Sequence, residues 1–514
     1  MKYFLTLIQL WVGFLSICAS YPKANIWIIP SVESPQVYRN YAQTSKVHLE
    51  MARGEVEHIQ LVFPSKVNEE YRFTFDRNLK GIQISARELK KMNGYYDALV
   101  PFKNQLKCTD TLTAVWITVQ CPSRVPVGKY HQTIKIEGSK HFTIQLDYNV
   151  HHTTIPLKSS IPITVGVENR CVAEGLNDKE ADKERQRWVD FVLSYRMTPV
   201  FGTQITPERW QYEHSFSPWA WNDKRSIRLL NDRRYSCYML PFFTLSENEL
   251  ASLLCNIQKK GKLKESLFYI WDEPAYMEDY EQIKQKVNII RKYASDARIL
   301  TTFFCGPRNG PRKGDLYAVF DYLKHHIHVA TISLAPCKGN EEEVQHIRYK
   351  VPEGIDWWSY VCWQPGGNEP NFLLQMKGIQ QRAIMWRTWK NGSQGFLYWN
   401  CNIYHKRNPF TYITDMPHGD GILIYPGDIL GRKGPIASAR LERWRDGAEE
   451  MELLRLVEKN YSKEKADTLL NIVYSSPLSF IEKAHNIPFF RKELLDQLDK
   501  TIPIDYKLRI TDFI

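Results

Sequence analysis

The chain of 514 residues is 43% hydrophobic and 24% charged, with 26 Gly and 27 Pro; this ordinary globular composition excludes a disordered, collagen-like or small disulfide-stapled protein. At about 100 to 200 residues per domain, with single barrels reaching about 250, two domains and an appendage are expected. The net charge of +11 comes from Lys and Arg spread among acidic residues, which points to a solvated surface and away from the continuous basic face that nucleic acid requires.

The first twenty residues hold Lys2, an apolar run from Tyr3 to Ile17 and the small residues Cys18-Ala19-Ser20. This pattern reads as a secretory signal peptide. A membrane anchor would need about 20 apolar residues without a cleavage site. Leu15-Ser16-Ile17-Cys18 also resembles a lipobox, although Ile17 is larger than the residue that motif prefers before its Cys. The expectation is export, to the periplasm or the extracellular space, with membrane attachment only if Cys18 is acylated. The ten cysteines include no CxxC pair and leave an odd nine once the leader is removed; they read as scattered core thiols, with Cys108 and Cys121 as a candidate disulfide.

Residues 21–150 show short alternating apolar runs, such as His58 to Phe63, Thr113 to Gln120, Tyr130 to Glu137 and His141 to Tyr148, separated by turn formers. This spacing predicts a β-sandwich. His152 to Pro162 reads as a linker. Residues 151–460 then alternate strand and helix. The strands are expected at Ile163 to Val167, Pro199 to Thr203, Cys237 to Thr244, Leu267 to Trp271, Arg298 to Phe304, His328 to Leu334, Asp356 to Cys362 and Gly395 to Asn400. Helices with 3.6-residue periodicity fall between them, and a last one is expected from Pro435 to Glu458. The fold class is therefore multidomain β plus α/β: an N-terminal β-sandwich, a (β/α)8 TIM barrel and, over residues 461–514, a C-terminal helical extension.

In such a barrel the active site lies where strand ends meet the following loops. At the end of the fourth strand, the apolar run from Leu267 to Trp271 meets Asp272, Glu273 and Pro274. Two adjacent acids at a buried strand end raise each other's proton affinity, which keeps one carboxyl protonated for use as an acid. The structural alternative is that one of them caps the helix beginning near Met277. Adjacency also constrains mechanism. Ordinary glycosidases place their two carboxyls on opposite sides of the scissile bond, whereas neighbours on one strand end suit an acid working beside a group that orients a nucleophile supplied by the substrate, such as a 2-acetamido group.

Trp357 to Trp363 and Phe396 to Asn400 alternate along the seventh and eighth strands, so one face of each turns inward. Their aromatic faces and hydroxyls suit the floor of a sugar site, with barrel packing as the alternative. The 13% aromatic content, with 15 Trp and 28 Tyr, agrees with a ligand that is flat or ring-shaped. His325, His326 and His328 lack a carboxylate at ligand spacing, and no HExxH, Walker loop, GxGxxG or GxSxG is present. No cofactor, metal or nucleotide is implied.

These fragments together resemble glycoside hydrolase family 123 and the broader bacterial domain family around it. The resemblance rests on Arg53-Gly54-Glu55 with Gln60-Leu61-Val62, Trp116 to Tyr130, Trp271-Asp272-Glu273-Pro274, the run from Trp357 through Arg382 and Trp386 to Trp399, and a late signature. That signature comprises Gly419-Asp420-Gly421, Tyr425-Pro426-Gly427, Ser438-Ala439-Arg440-Leu441-Glu442 and Arg445-Asp446-Gly447.

The resemblance implies a retaining exo-β-N-acetylgalactosaminidase acting on a glycan with a terminal β-linked N-acetylhexosamine. Asp272 would polarise the 2-acetamido group and Glu273 would serve as acid and then base. Tyr360 would steady the acetamido group and Trp399 would stack on the sugar, with Trp271, Trp358 and Tyr398 completing the substrate-binding set. Two departures stand out: the sixth strand ends Ser333-Leu334-Ala335-Pro336 without an aromatic, and Glu450-Met451 replaces Asp-Tyr after the late signature. Two other readings remain open at this point, a glycosidase for another sugar using a remote carboxylate such as Glu168, and a non-catalytic glycan-binding protein.

Overall fold

The computed structural model describes residues 26–76, 81–206, 211–404, 409–410 and 418–501. The expected leader, with Cys18, lies outside the described residues, as does the tail from 502 onward. Cys108 and Cys121 are both buried free thiols.

Alternating sequences in the N-terminal part form two five-stranded sheets. The first runs in the order Trp27–Pro30, Glu55–Pro64, Leu112–Cys121, Gln83–Met92 and Tyr95–Pro101, every neighbour antiparallel. The second runs Lys46–Arg53, His141–Thr154, Gly128–Glu137, Glu70–Phe75 and Gln105–Lys107, with one parallel pair at its Lys46–Arg53 edge. Period-two patterning explains the packing. Ile134, Ile136, Phe142 and Ile144 turn into a core shared with Ile59, Leu61, Phe63, Val115 and Ile117 of the first sheet, while Lys135, Glu137 and Thr143 face water. The opposite face of the first sheet, with Val62, Ala114 and Trp116, joins the core of the rest of the molecule.

Beyond Pro162 a nine-stranded, nearly closed, barrel-like sheet takes over. Its order is Gln211–Ser215, Thr198–Thr206, Ile163–Glu168, Phe396–Tyr398, Asp356–Val361, Val329–Ser333, Ile299–Phe303, Ser266–Trp271 and Tyr238–Met239. All eight expected strands are present and parallel to their neighbours; the third shrinks from the expected Cys237 to Thr244 to Tyr238–Met239. Gln211–Ser215 is an unexpected antiparallel addition on Thr198–Thr206. It brings the chain to the seam, where the Phe216 amide donates to the Met239 carbonyl at 2.7 Å. Inside lie Val200, Met239, Leu267, Tyr269, Leu300, Val329, Trp358, Tyr360 and Leu397, and on the outside the helices Asp178–Ser194, Glu247–Lys259, Met277–Tyr293, Glu341–Lys350 and Gly378–Lys390. Among the described residues no helix is long and apolar enough to cross a membrane.

The Ala439–Asn460 helix joins the two parts. Despite its many charges it is buried almost all round, a cost that only pairing and hydrogen bonding offset. Arg440 meets Asp97 at 2.9 Å, Glu442 meets His58 at 3.1 Å and also pairs with Arg87, and Glu449 accepts from the Val56 amide at 3.0 Å. Asp97, His58, Arg87 and Val56 all belong to the first N-terminal sheet. On the other side Glu450 takes Arg382 at 2.6 Å and the Trp386 indole at 2.7 Å. Gly447 faces the Arg382 carbonyl so closely that a Cβ would collide with it. The late signature noted in the sequence is thus largely the joint between the two parts.

Candidate active site

The Ser266–Trp271 strand is buried along its whole length and ends at Asp272 and Glu273. The helix that follows, Met277–Tyr293, is capped by its own Asp279, which accepts from the amides of Ala275 and Tyr276 at 2.9 Å each. The adjacent acids are therefore free of the capping role that spacing left open for them.

Asp272 Oδ1 accepts from the Tyr269 hydroxyl at 2.7 Å and from Thr302 Oγ1 at 2.7 Å. Thr302 in turn accepts from the Glu273 amide at 3.0 Å. One threonine on the neighbouring strand thus holds both acids. Glu273 sits at φ +46°, a left-handed conformation unusual for a residue with a Cβ and a form of strain that functional sites retain. The Tyr360 hydroxyl, reaching across from the Asp356–Val361 strand, donates to Glu273 Oε1. Loss of hydration first, and then the negative charge of Asp272, push the Glu273 carboxyl up to about 7, against the opposing pull of Tyr360 and the more distant Arg308. At neutral pH this carboxyl can both give and take a proton.

A recess of about 60 Å³ adjoins the pair, lined among others by Gly166, Tyr212, His214, Asp272, Trp399 and Asn400. His214 comes from the unexpected Gln211–Ser215 strand and stacks on Tyr269, with centroids 4.1 Å apart and planes 10° from parallel. Burial drives its imidazole down to about 3, so the ring is neutral.

Trp399 is half-buried at the recess. Its indole donates to Asp420 Oδ1 at 3.0 Å, and the Tyr398 hydroxyl donates to the same oxygen at 3.1 Å. Burial raises Asp420 to about 6. Gly421, at φ +67°, lies so close to the Trp399 ring that a Cβ would collide with it. The Gly419-Asp420-Gly421 fragment therefore sets the position of Trp399.

Three of the expected sugar contacts keep their rings packed in the protein, although Tyr398 also borders the recess. A register shift between Tyr269 and Trp271 breaks the alternation of their strand, and Trp271 turns to the helix side, where Lys286 lies 5.4 Å from its ring. Trp358 is buried inside the sheet against Gly395, and Tyr398 is enclosed by Phe372 and Trp444. Tyr360 and Trp399 do stand with the acid pair. Glu168 accepts, through its side chain, from the Arg170 amide at the start of the Asn169–Ala173 helix. Thr302, His214 and Asp420 were not singled out as site residues by sequence reasoning. Among the described residues no group of three or more His, Cys, Asp or Glu side chains is placed to hold a metal ion.

The model of the glycoside hydrolase 123 catalytic domain matches residues 183–457. The chain belongs to glycoside hydrolase family 123. A family 123 glycoside hydrolase from Clostridium perfringens, described for glycolipid glycan hydrolysis, superposes with a TM-score of 0.66 at 13% identity, over 95% of this chain and 100% of that one; this shows a shared fold. A Bacteroides ovatus GH5 xyloglucanase (TM-score 0.26, 11% identity, 79% of this chain and 98% of that one) and a Dictyoglomus thermophilum β-D-glucuronidase (TM-score 0.32, 9% identity, 79% and 71%) superpose too loosely to carry an argument. No curated protein matches the chain. Membership in family 123 makes the protein a glycoside hydrolase with a carbohydrate substrate.

Proposed function

We propose that this family 123 hydrolase is an exported, retaining exo-β-N-acetylgalactosaminidase that uses the substrate's own acetamido group as nucleophile. The observation that carries the reading is the pairing of Asp272, held by two hydroxyls, with Glu273, whose carboxyl stays protonated up to about 7. In the first step Asp272 accepts a hydrogen bond from the acetamido N–H, the acetamido oxygen attacks C1, and Glu273 gives its proton to the departing glycosidic oxygen. In the second, the Glu273 carboxylate takes a proton from water as that water attacks C1 and opens the oxazoline, which returns the acetamido group and the acid. Tyr360 orients Glu273 and Trp399 offers the stacking face.

The architecture proposed with it is a β-sandwich over residues 21–150, a (β/α)8 barrel over 151–460 and a helical extension from 461, after a leader of 20 residues. Adjacent carboxyls on one strand end favour substrate assistance over a remote second carboxylate. The test is hydrolysis of aryl β-N-acetylgalactosaminide and β-N-acetylglucosaminide by protein beginning at Tyr21. Turnover of the galactosaminide that Glu273→Gln abolishes and a thiazoline mimic of the oxazoline blocks is the expected result; folded protein that turns over neither glycoside would overturn the assignment.

A further inference from the structure

Two aromatic rings outside the recess stack on each other at the rim. Trp363 is 40% exposed, unlike the buried Trp357 and Trp358 of the same run, and Phe304 lies beside it half-buried, with centroids 6.2 Å apart and planes 21° from parallel. The stacked pair offers an apolar face to solvent beside the strand ends that carry the acid pair.

Both rings sit just beyond residues that touch Glu273. Phe304 follows, by two positions, Thr302, the acceptor of the Glu273 amide; Trp363 follows, by three, Tyr360, the donor to the Glu273 carboxyl. Because an extended chain spans at most about 3.6 Å per residue, their backbones lie within roughly 7 and 11 Å of Thr302 and Tyr360, the scale of one pyranose ring beyond the scissile bond. The strand between theirs in the sheet, Val329–Ser333, leads into Ser333-Leu334-Ala335, where Leu334 is buried in the core and no aromatic side chain intervenes, so the two rings meet across its end. The loop after Phe304 is tied to the loop after Glu273, the Arg308 amide donating to the Ala275 carbonyl at 2.6 Å.

We propose that the Trp363–Phe304 ledge is the leaving-group subsite, taking the flat C–H face of a second sugar ring, so that the preferred substrate is an oligosaccharide end and not a simple glycoside. The assignment of the leaving-group side rests on the proposed role of Glu273 as proton donor, because the donor must lie beside the departing oxygen. A hexopyranose laid on Trp363 buries apolar C–H surface against the ring.

The experiment compares Trp363→Ala and Trp363→Phe with the native enzyme on two substrates: a disaccharide ending in β-linked N-acetylgalactosamine, and the corresponding 2-acetamido glycosyl fluoride, whose leaving group is too small to touch the ledge. Trp363→Ala should lower kcat/KM for the disaccharide about 10-fold and leave the fluoride unchanged, and Trp363→Phe should restore most of the loss. Equal loss on both substrates, or loss on neither, overturns the proposal.

Binding of the same disaccharide and of free N-acetylgalactosamine to Glu273→Gln, with and without Trp363→Ala, is read in parallel by calorimetry. If the native enzyme turns over neither substrate, the acid-pair reading fails, and the ledge is decided by this titration. Disaccharide affinity that falls with Trp363→Ala while monosaccharide affinity holds supports it; affinity that does not depend on Trp363 overturns it.

Discussion

Thr302 Oγ1 lies 2.7 Å from Asp272 Oδ1 and 3.0 Å from the Glu273 amide nitrogen, so a single buried hydroxyl orients both adjacent acids. Thr302→Val keeps the shape and removes the donor and the acceptor together. A hydrogen bond to a charged group contributes about 1.5 to 3 kcal/mol, so kcat/KM should fall roughly 10- to 100-fold, while Thr302→Ser stays near native. Equal rates in the Val and Ser variants would contradict this role.

The pH profile follows from Glu273. Its carboxyl is raised from the ordinary 4.5 to about 7, and the first step needs it protonated, so kcat/KM should decline as pH rises through about 7. Tyr360 donates to the carboxylate form and so lowers the Glu273 value; Tyr360→Phe should therefore move the alkaline limb upward. A downward or absent shift would contradict the geometry. The same linkage acts on stability: the folded carboxyl holds its proton more tightly than the unfolded one, so this contribution is intact below 4.5 and lost as pH rises to about 7. Glu273→Gln should gain in unfolding midpoint relative to the native protein over that interval.

His214 should be silent as a titrating group. With burial holding the imidazole down to about 3, its ring carbon and nitrogen resonances should stay constant between pH 5 and 8. A titration midpoint near 6.5 would contradict the stacked, water-poor environment against Tyr269.

Asp97→Ala would leave the Arg440 guanidinium buried without its carboxylate. Breaking one side of a buried pair costs about 3 to 5 kcal/mol, a loss readable in urea unfolding. Because the partners share one interaction, Asp97→Ala with Arg440→Ala should cost less than the two single losses added.

Much of this was legible in the sequence. The eight strands announced themselves through short apolar runs between helical periods, and the acid pair through two carboxylates placed where a buried strand ends. Alternation turned one face of the Asp356–Val361 strand inward, and the family resemblance singled out Tyr360 on it. Trp271, included with the sugar contacts through the resemblance, turns to the helices because the shift at Ile270 is a property of pairing with the Ile299–Phe303 strand and leaves no mark in the residues themselves. Gln211–Ser215 escaped because Gln-Tyr-Glu-His-Ser carries no apolar run, and with it escaped His214. Thr302 looks like ordinary strand filler; only the register against the neighbouring strand gives it two carboxyl-bearing neighbours. The charge partners of the Ala439–Asn460 helix lie hundreds of residues away, beyond the reach of any local pattern.

That helix has a consequence for how the enzyme can be divided. The family match begins at residue 183 and ends at residue 457, yet Arg440, Glu442 and Glu449 find their partners at Asp97, His58, Arg87 and Val56. Cut free at the linker, the hydrolytic half would carry a row of stranded ions on a helix shaped for contact, and the β-rich half would expose the matching face. The two halves are expected to melt in one calorimetric transition, and a piece cut to residues 183–457 is expected not to fold alone; two separate transitions, or a folded piece, would contradict this.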